Sequence, residues 1–192
     1  MARARRLAEI RARRGTPERL LAIESIRSAK PTTVARGAAA IADRKTPENS
    51  SAMFGHPWPL WFQMRDVGYE HIAARARDRK KTTYVEMWDA IRAEVGQDLG
   101  SQWRQLPNLL GYIGDLSYEK IRLVVTALVI YQEGDEHPGP GFLRLAARHD
   151  LMPAEEAPPT GRDNEWKGMT PYQSAFWAGH CDALFDHFAQ AN

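Results

Sequence analysis

A chain of 192 residues, 43% hydrophobic and 26% charged, has the length for one or two compact domains and the composition of an ordinary globular protein. That excludes a wholly disordered chain, a collagen-like repeat and a disulfide framework, because the single cysteine, Cys181, has no partner within the chain. The longest apolar run, Leu123 to Tyr131, is interrupted by Thr126 and is far too short to span a bilayer. The expectation is a cytoplasmic protein, in a reducing compartment, with no membrane partner.

The net charge of +2 conceals a gradient: residues 1–50 hold 12 Lys and Arg against 5 Asp and Glu, whereas residues 151–192 hold 2 against 6. A basic head and an acidic tail admit three readings: a nucleic-acid-binding arm, mutual attraction of the two ends, or a head that docks on a partner chain. A solvated helix face is the plainest alternative. The head shares its arginine content with organelle transit peptides. However, Glu9, Glu18 and Glu24 interrupt it, serine is absent before Ser25, and no apolar signal core follows, so it reads as part of the mature chain.

In chain order, Ala2 to Arg14 consists of strong helix formers with a thin Leu7/Ile10 stripe, and Gly15 stops it. Thr16-Pro17-Glu18 opens a second helix, with Thr16 as N-cap and Pro17 at the first helical position, and Pro31 ends it. A third, Ala-rich helix is predicted from Thr32 or Thr33 to about Asp43, and Lys45 to Ser51 reads as a linker. Pro57 and Pro59 predict an extended start to the aromatic stretch 53–62, then a long helix from Pro59 to about Lys81. The next predicted helix runs from Val85 to Val95, and another lies between Ser101 and Leu116, disturbed or begun by Pro107. Leu123 to Tyr131, β-branched and apolar, predicts a buried strand. A polar turn over 132–136, a rigid extended loop over 137–142, a short helix from Phe142 to His149 and a surface loop over 153–168 follow. Thr170-Pro171 repeats the Thr16-Pro17 start signal and opens a closing helix.

Four fragments in this order, Thr83-Tyr84-x-Glu86, Leu110-Gly-Tyr-Ile-Gly114, Leu128-Val129-Ile130 and Pro138-Gly-x-Gly-Phe142, resemble a domain of small uncharacterised bacterial proteins. The resemblance covers residues 81–190 and implies no established activity. More distantly, Thr82, Thr83, Tyr84 and Glu86 are similar to the segment that opens a helix in the winged-helix DNA-binding half of the alkylguanine-DNA alkyltransferases and alkyltransferase-like proteins, with Val85 where that family has glycine. There a second helix carries an arginine into DNA, and Arg104 lies near the start of the matching helix here. That family's reactive cysteine stands in a Pro-Cys-His-Arg segment. The corresponding stretch here, Val124 to Tyr131, contains none, so the resemblance implies DNA binding without alkyl transfer.

The expected fold is mostly α with a small β element (α+β). It comprises a basic helical arm over 1–45 and a globular domain over 52–192, with a winged-helix-like core at 82–142 and a closing helix at 170–190. The expected function is a non-enzymatic DNA-binding accessory or regulatory protein. Arg3, Arg5, Arg6, Arg11, Arg13 and Arg14 in the head, and Arg75, Arg77, Arg79, Lys80 and Lys81 further on, would grip phosphates on one electropositive patch. Arg104 and Gln105 would reach base edges of double-stranded DNA. The alternative is a protein-interaction or homo-oligomerisation module docking through residues 1–30. The Pro138–Phe142 glycines predict a close approach to another segment of the same domain. His180 and His187 lie too far apart on one helix to chelate jointly, and no metal or cofactor signature is present.

Overall fold

The computed structural model of the protein describes residues 52–96, 99, 102–131, 136–161, 166 and 168–190. The predicted arm at 1–45, its arginines and the linker lie outside the described residues, as does the side chain of Arg104. The described part is mostly helical with two small strand pairs, the predicted α+β class.

Strands β1 (Ala52–Met53) and β2 (His56–Pro57) form a minimal antiparallel hairpin. Its two-residue turn places Phe54 and Gly55 at φ 51° and 82°, the left-handed pair that suits strand twist, and leaves Phe54 exposed at the tip. Helix α1 (Trp58–Arg77) begins one residue before the predicted start, with Pro59 in its first turn where no intrahelical N–H is needed. Its apolar residues recur at helical spacing, and Trp61, Met64, Ile72, Ala73 and Ala76 are fully buried. Helices α2 (Tyr84–Val95), α3 (Gln102–Ile121) and α5 (Pro171–Gln190) all pack on α1, which is the spine of the domain.

Strand β3 (Thr82–Thr83) leads into α2 (Tyr84–Val95). Thr83 caps this helix: its Oγ1 accepts from the Glu86 N–H at 3.1 Å, and the Glu86 carboxylate accepts from the Thr83 N–H at 2.9 Å. Gly96, in the left-handed region at φ 67°, ends it. Helix α3 (Gln102–Ile121) is continuous through Pro107 and extends five residues past its predicted end.

The predicted strand over Leu123–Tyr131 is corrected. Only Val129–Ile130 is a strand, β4, and Val125–Leu128 forms a 3-10 turn before it. The segment is buried as expected, but side chains claim its backbone. Val124 N–H donates to His180 Nε2 at 3.0 Å, and Val125 N–H to Ser117 Oγ at 3.0 Å. Trp177 Nε1 and Cys181 Sγ both donate to the Ala127 carbonyl. With these partners supplied from α3 and α5, the buried polar groups need no strand ladder. Strand β4 pairs in parallel with β3, Thr82 against Val129 and Thr83 against Ile130, whereas a wing would be an antiparallel hairpin.

Helix α4 (Pro140–Arg148) begins two residues earlier than predicted, with proline at its start. After a 3-10 turn at Ala154–Glu156, α5 (Pro171–Gln190) opens at the predicted threonine. Thr170 Oγ1 accepts from the Gln173 N–H, and Gln173 Oε1 accepts from the Thr170 N–H, a second reciprocal cap. No helix among the described residues is long and apolar enough to cross a membrane.

Candidate functional site

Most of the predicted phosphate-gripping cluster is engaged within the fold. Arg75 donates through Nε and Nη2 to the Lys81 carbonyl, at 3.1 and 2.9 Å, and so closes the turn after α1. Arg79 pairs with Asp186 on α5 at 3.0 Å and lies over the Phe185 ring. Arg77 lies over Phe188, and Lys80 pairs with Asp78. Lys81 reaches Glu136 at 3.7 Å and sits over Trp177 at 4.4 Å. Arg79 and Asp186 thus join the end of α1 to the acidic tail, whereas the attraction predicted for the basic head lies outside the described residues. Arg77, Arg79 and Lys80 nevertheless remain exposed to solvent. Gln105 is buried: its amide donates to the Leu99 carbonyl at 2.6 Å, and its Oε1 lies 3.0 Å from His56 Nε2. Its polar atoms hold neighbouring chain and do not face outward as a base reader would.

A concave site lies elsewhere among the described residues, in a cavity of about 490 Å3. Its origin can be followed from the β3–β4 register. Tyr84 and Tyr131 are the residues directly after the pairs Thr82/Val129 and Thr83/Ile130, so the ladder delivers their rings side by side. They stack with centroids 5.0 Å apart and planes 23° apart, and both line the cavity. The loop before α4 closes on them. Gly139 N–H donates to Tyr84 Oη at 3.2 Å, and a Cβ on Gly139 would stand 2.6 Å from Tyr84 Oη and 3.0 Å from Tyr131 Oη. The predicted close approach of this loop to its own domain is thus observed. Leu106, Leu110 and Gly111 of α3 supply an apolar wall, and Phe142 and Leu145 of α4 face it. Three of the four fragments behind the bacterial-domain resemblance contribute to this one lining: Tyr84, Leu110-Gly111 and Gly139 to Phe142.

Among the described residues, the polar side chains of the lining include two arginines and no carboxylate. Arg144 donates to the Pro159 carbonyl at 3.2 Å. Arg148 is hydrogen-bonded through Nη2 to Asp115 of α3, whose side chain is only 5% exposed. The same carboxylate oxygen lies 2.9 Å from Nε2 of His149, which is fully buried and stacked on Tyr118 with centroids 4.0 Å apart. Because a carboxylate only accepts, Nε2 is the donor in that bond. Sequence spacing does not announce this trio. Asp115 is a lone acid inside the apolar run of α3, and His149 stands by itself in the sequence. A buried-face position for a charged residue was the available signal.

In comparisons with protein-family models, with curated proteins and with solved structures, nothing matches this chain.

Thiol chemistry at the site has no support. Thr126 lines the cavity within the 124–131 stretch, which contains no cysteine. Cys181 lies behind that stretch, buried, with its thiol pushed up to about 12 by desolvation, so the thiolate is scarce at neutral pH. Among the described residues no group of His, Cys, Asp and Glu is placed to hold a metal ion.

Proposed function

We propose that the protein is a non-enzymatic nucleic-acid-binding protein, accessory or regulatory in role, whose cavity receives one nucleotide unit. The observation that carries this reading is the lining: two stacked tyrosines, apolar walls and two arginines, with no carboxylate among the described residues. The volume falls in the range of small-molecule sites, roughly 300–1,000 Å3. Aromatic walls suit the flat face of a base, and guanidinium groups suit phosphate. Cations outside the cavity extend the surface. Lys81 is tied to Glu136 and lies three residues before Tyr84, and Arg77, Arg79 and Lys80 are exposed at the end of α1. Contacts of this kind bind phosphate without reading sequence. The Thr82-Thr83-Tyr84-x-Glu86 resemblance supports a winged-helix-like use of α2 and α3, with Arg104 and the arginines of residues 1–14 as further phosphate contacts.

The test is fluorescence anisotropy of the full chain with duplex DNA, with a short single strand and with a nucleoside monophosphate, each at two salt concentrations. Binding at low salt that weakens as salt rises supports the reading, and Arg77→Glu with Lys80→Glu then lowers affinity and flattens the salt slope. Absence of binding to all three ligands at low salt overturns it.

A second reading, a protein-interaction or self-association module docking through residues 1–30, is favoured by the engagement of Arg75, Arg79 and Lys81 inside the fold. Sedimentation of the full chain against a variant lacking residues 1–30 decides it. Loss of assembly with an unchanged circular dichroism spectrum supports docking, and unchanged assembly removes it.

A further inference from the structure

We infer that Arg148 is the anion-contacting residue of the cavity, and that Asp115 is its positioning residue, holding the guanidinium from the buried side. This rests on the nucleotide-binding reading above and assigns the phosphate end of that site.

The two arginines of the lining are not equivalent. Arg144 is directed at the loop carbonyl of Pro159. Arg148 has a single polar partner among the described residues, Asp115, which it meets through Nη2. Its Nε–H is buried and meets no partner among the described residues. A guanidinium offers five N–H donors, so one bond to Asp115 fixes the fork while leaving donors to satisfy. The side chain is 30% exposed and borders the cavity, so an entering anion can reach it. Because Nε itself is buried, an entering anion meets the remaining Nη donors, for which the described residues supply only Asp115.

The support behind Arg148 is rigid. Asp115 is buried on α3 and is held by His149 Nε2 at 2.9 Å as well as by Arg148. His149 is in turn fixed by its stack on Tyr118. A carboxylate anchored twice cannot follow the arginine if it swings, so the arginine is held in one orientation. Planar fork geometry matches a phosphate or carboxylate oxygen pair, which a freely rotating cation does not.

The experiment compares 2-aminopurine deoxyriboside 5′-monophosphate with 2-aminopurine deoxyriboside, titrated by fluorescence against the full chain. The ratio of the two affinities isolates the contribution of the phosphate. The wild type prefers the monophosphate by roughly 10- to 100-fold, as a charge-assisted contact to phosphate provides. Arg148→Met brings the ratio to about one while nucleoside binding persists. Arg148→Gln, which keeps a donor for Asp115, is the second variant should the first fail to fold, and it too collapses the ratio. Asp115→Asn lowers the ratio several-fold even though it removes a negative charge. A merely structural role would weaken both ligands equally and leave the ratio unmoved, which overturns the assignment. A ratio that rises in Asp115→Asn overturns the positioning role. A wild type that binds nucleosides and nucleotides alike overturns Arg148 alone, whereas a wild type that binds neither these nor DNA overturns the functional reading as well.

Discussion

Arg79 Nη1 stands 3.0 Å from Asp186 Oδ1, joining the end of α1 to α5 across 107 residues of sequence. Both side chains are more than half exposed, at 52% and 65%, so water and salt screen the pair. A double-mutant cycle on Arg79→Ala and Asp186→Ala, read by urea unfolding, is expected to give a coupling of about 0.2–1 kcal/mol that shrinks in high salt. A coupling several times larger would mean that the pair does more than tether two surfaces.

His180 makes stability depend on pH in one direction. Burial depresses its pKa from 6.5 to about 4, and its Nε2 already accepts the Val124 N–H. The folded state therefore binds fewer protons than the unfolded state between these values. Stability is full above about pH 6.5 and is lost as pH falls through that window towards 4. Between pH 7.5 and pH 5 the loss from this residue is ~2 kcal/mol. Urea midpoints at the two pH values measure it, and His180→Gln should flatten the dependence. Glu86 adds a loss at lower pH, because the Thr83 N–H holds its carboxyl below the usual value.

Gly139→Ala tests the closure of the cavity. The added carbon would lie 2.6 Å from Tyr84 Oη, against side chains that are themselves stacked. The expected outcome is a destabilisation of about 1–3 kcal/mol by overpacking, together with weaker nucleotide binding. Thermal unfolding and the aminopurine titration read the two effects separately.

Cys181 should be inert in the native state. Its thiol is buried and donates to the Ala127 carbonyl, and burial raises its pKa to about 12. Labelling with a chromogenic disulfide reagent is expected to be negligible in buffer and complete in denaturant. Rapid labelling of the folded chain at pH 7 would contradict the buried placement.

Thr83→Ala removes one half of the reciprocal cap at the start of α2. A loss of about 1 kcal/mol in urea unfolding is expected. Because the next residue is Tyr84, a drop in nucleotide affinity beyond that loss would show that the cap also sets the angle of the cavity wall.

Local chemistry made the helix starts legible. Thr170 before Pro171 carries its cap in the sequence, and α5 begins there, whereas the Thr83/Glu86 cap starts α2 one residue before the predicted Val85. The apolar run at 123–131 was legible as buried but not as its true conformation. The partners that release its backbone from a strand, Ser117, His180 and Trp177, lie on other helices, and hydrophobic pattern carries no record of them. The arginine cluster was visible as charge, whereas its use depends on where α5 returns. Gln105 looked like a base reader because its amide is polar and its helix begins nearby, yet that amide turns inward to Leu99. The cavity was the least legible feature. Its tyrosines meet through a register of two residue pairs, and Arg148 meets Asp115 only once α4 lies on α3.

The parallel pairing of Thr82 with Val129 has a kinetic consequence. A ladder of this kind cannot nucleate from a tight turn, and its two halves meet only when the helices between them have already collapsed. Tyrosine stacking should accordingly be among the last events of refolding, and a ring-sensitive fluorescence signal should lag behind the recovery of helical ellipticity.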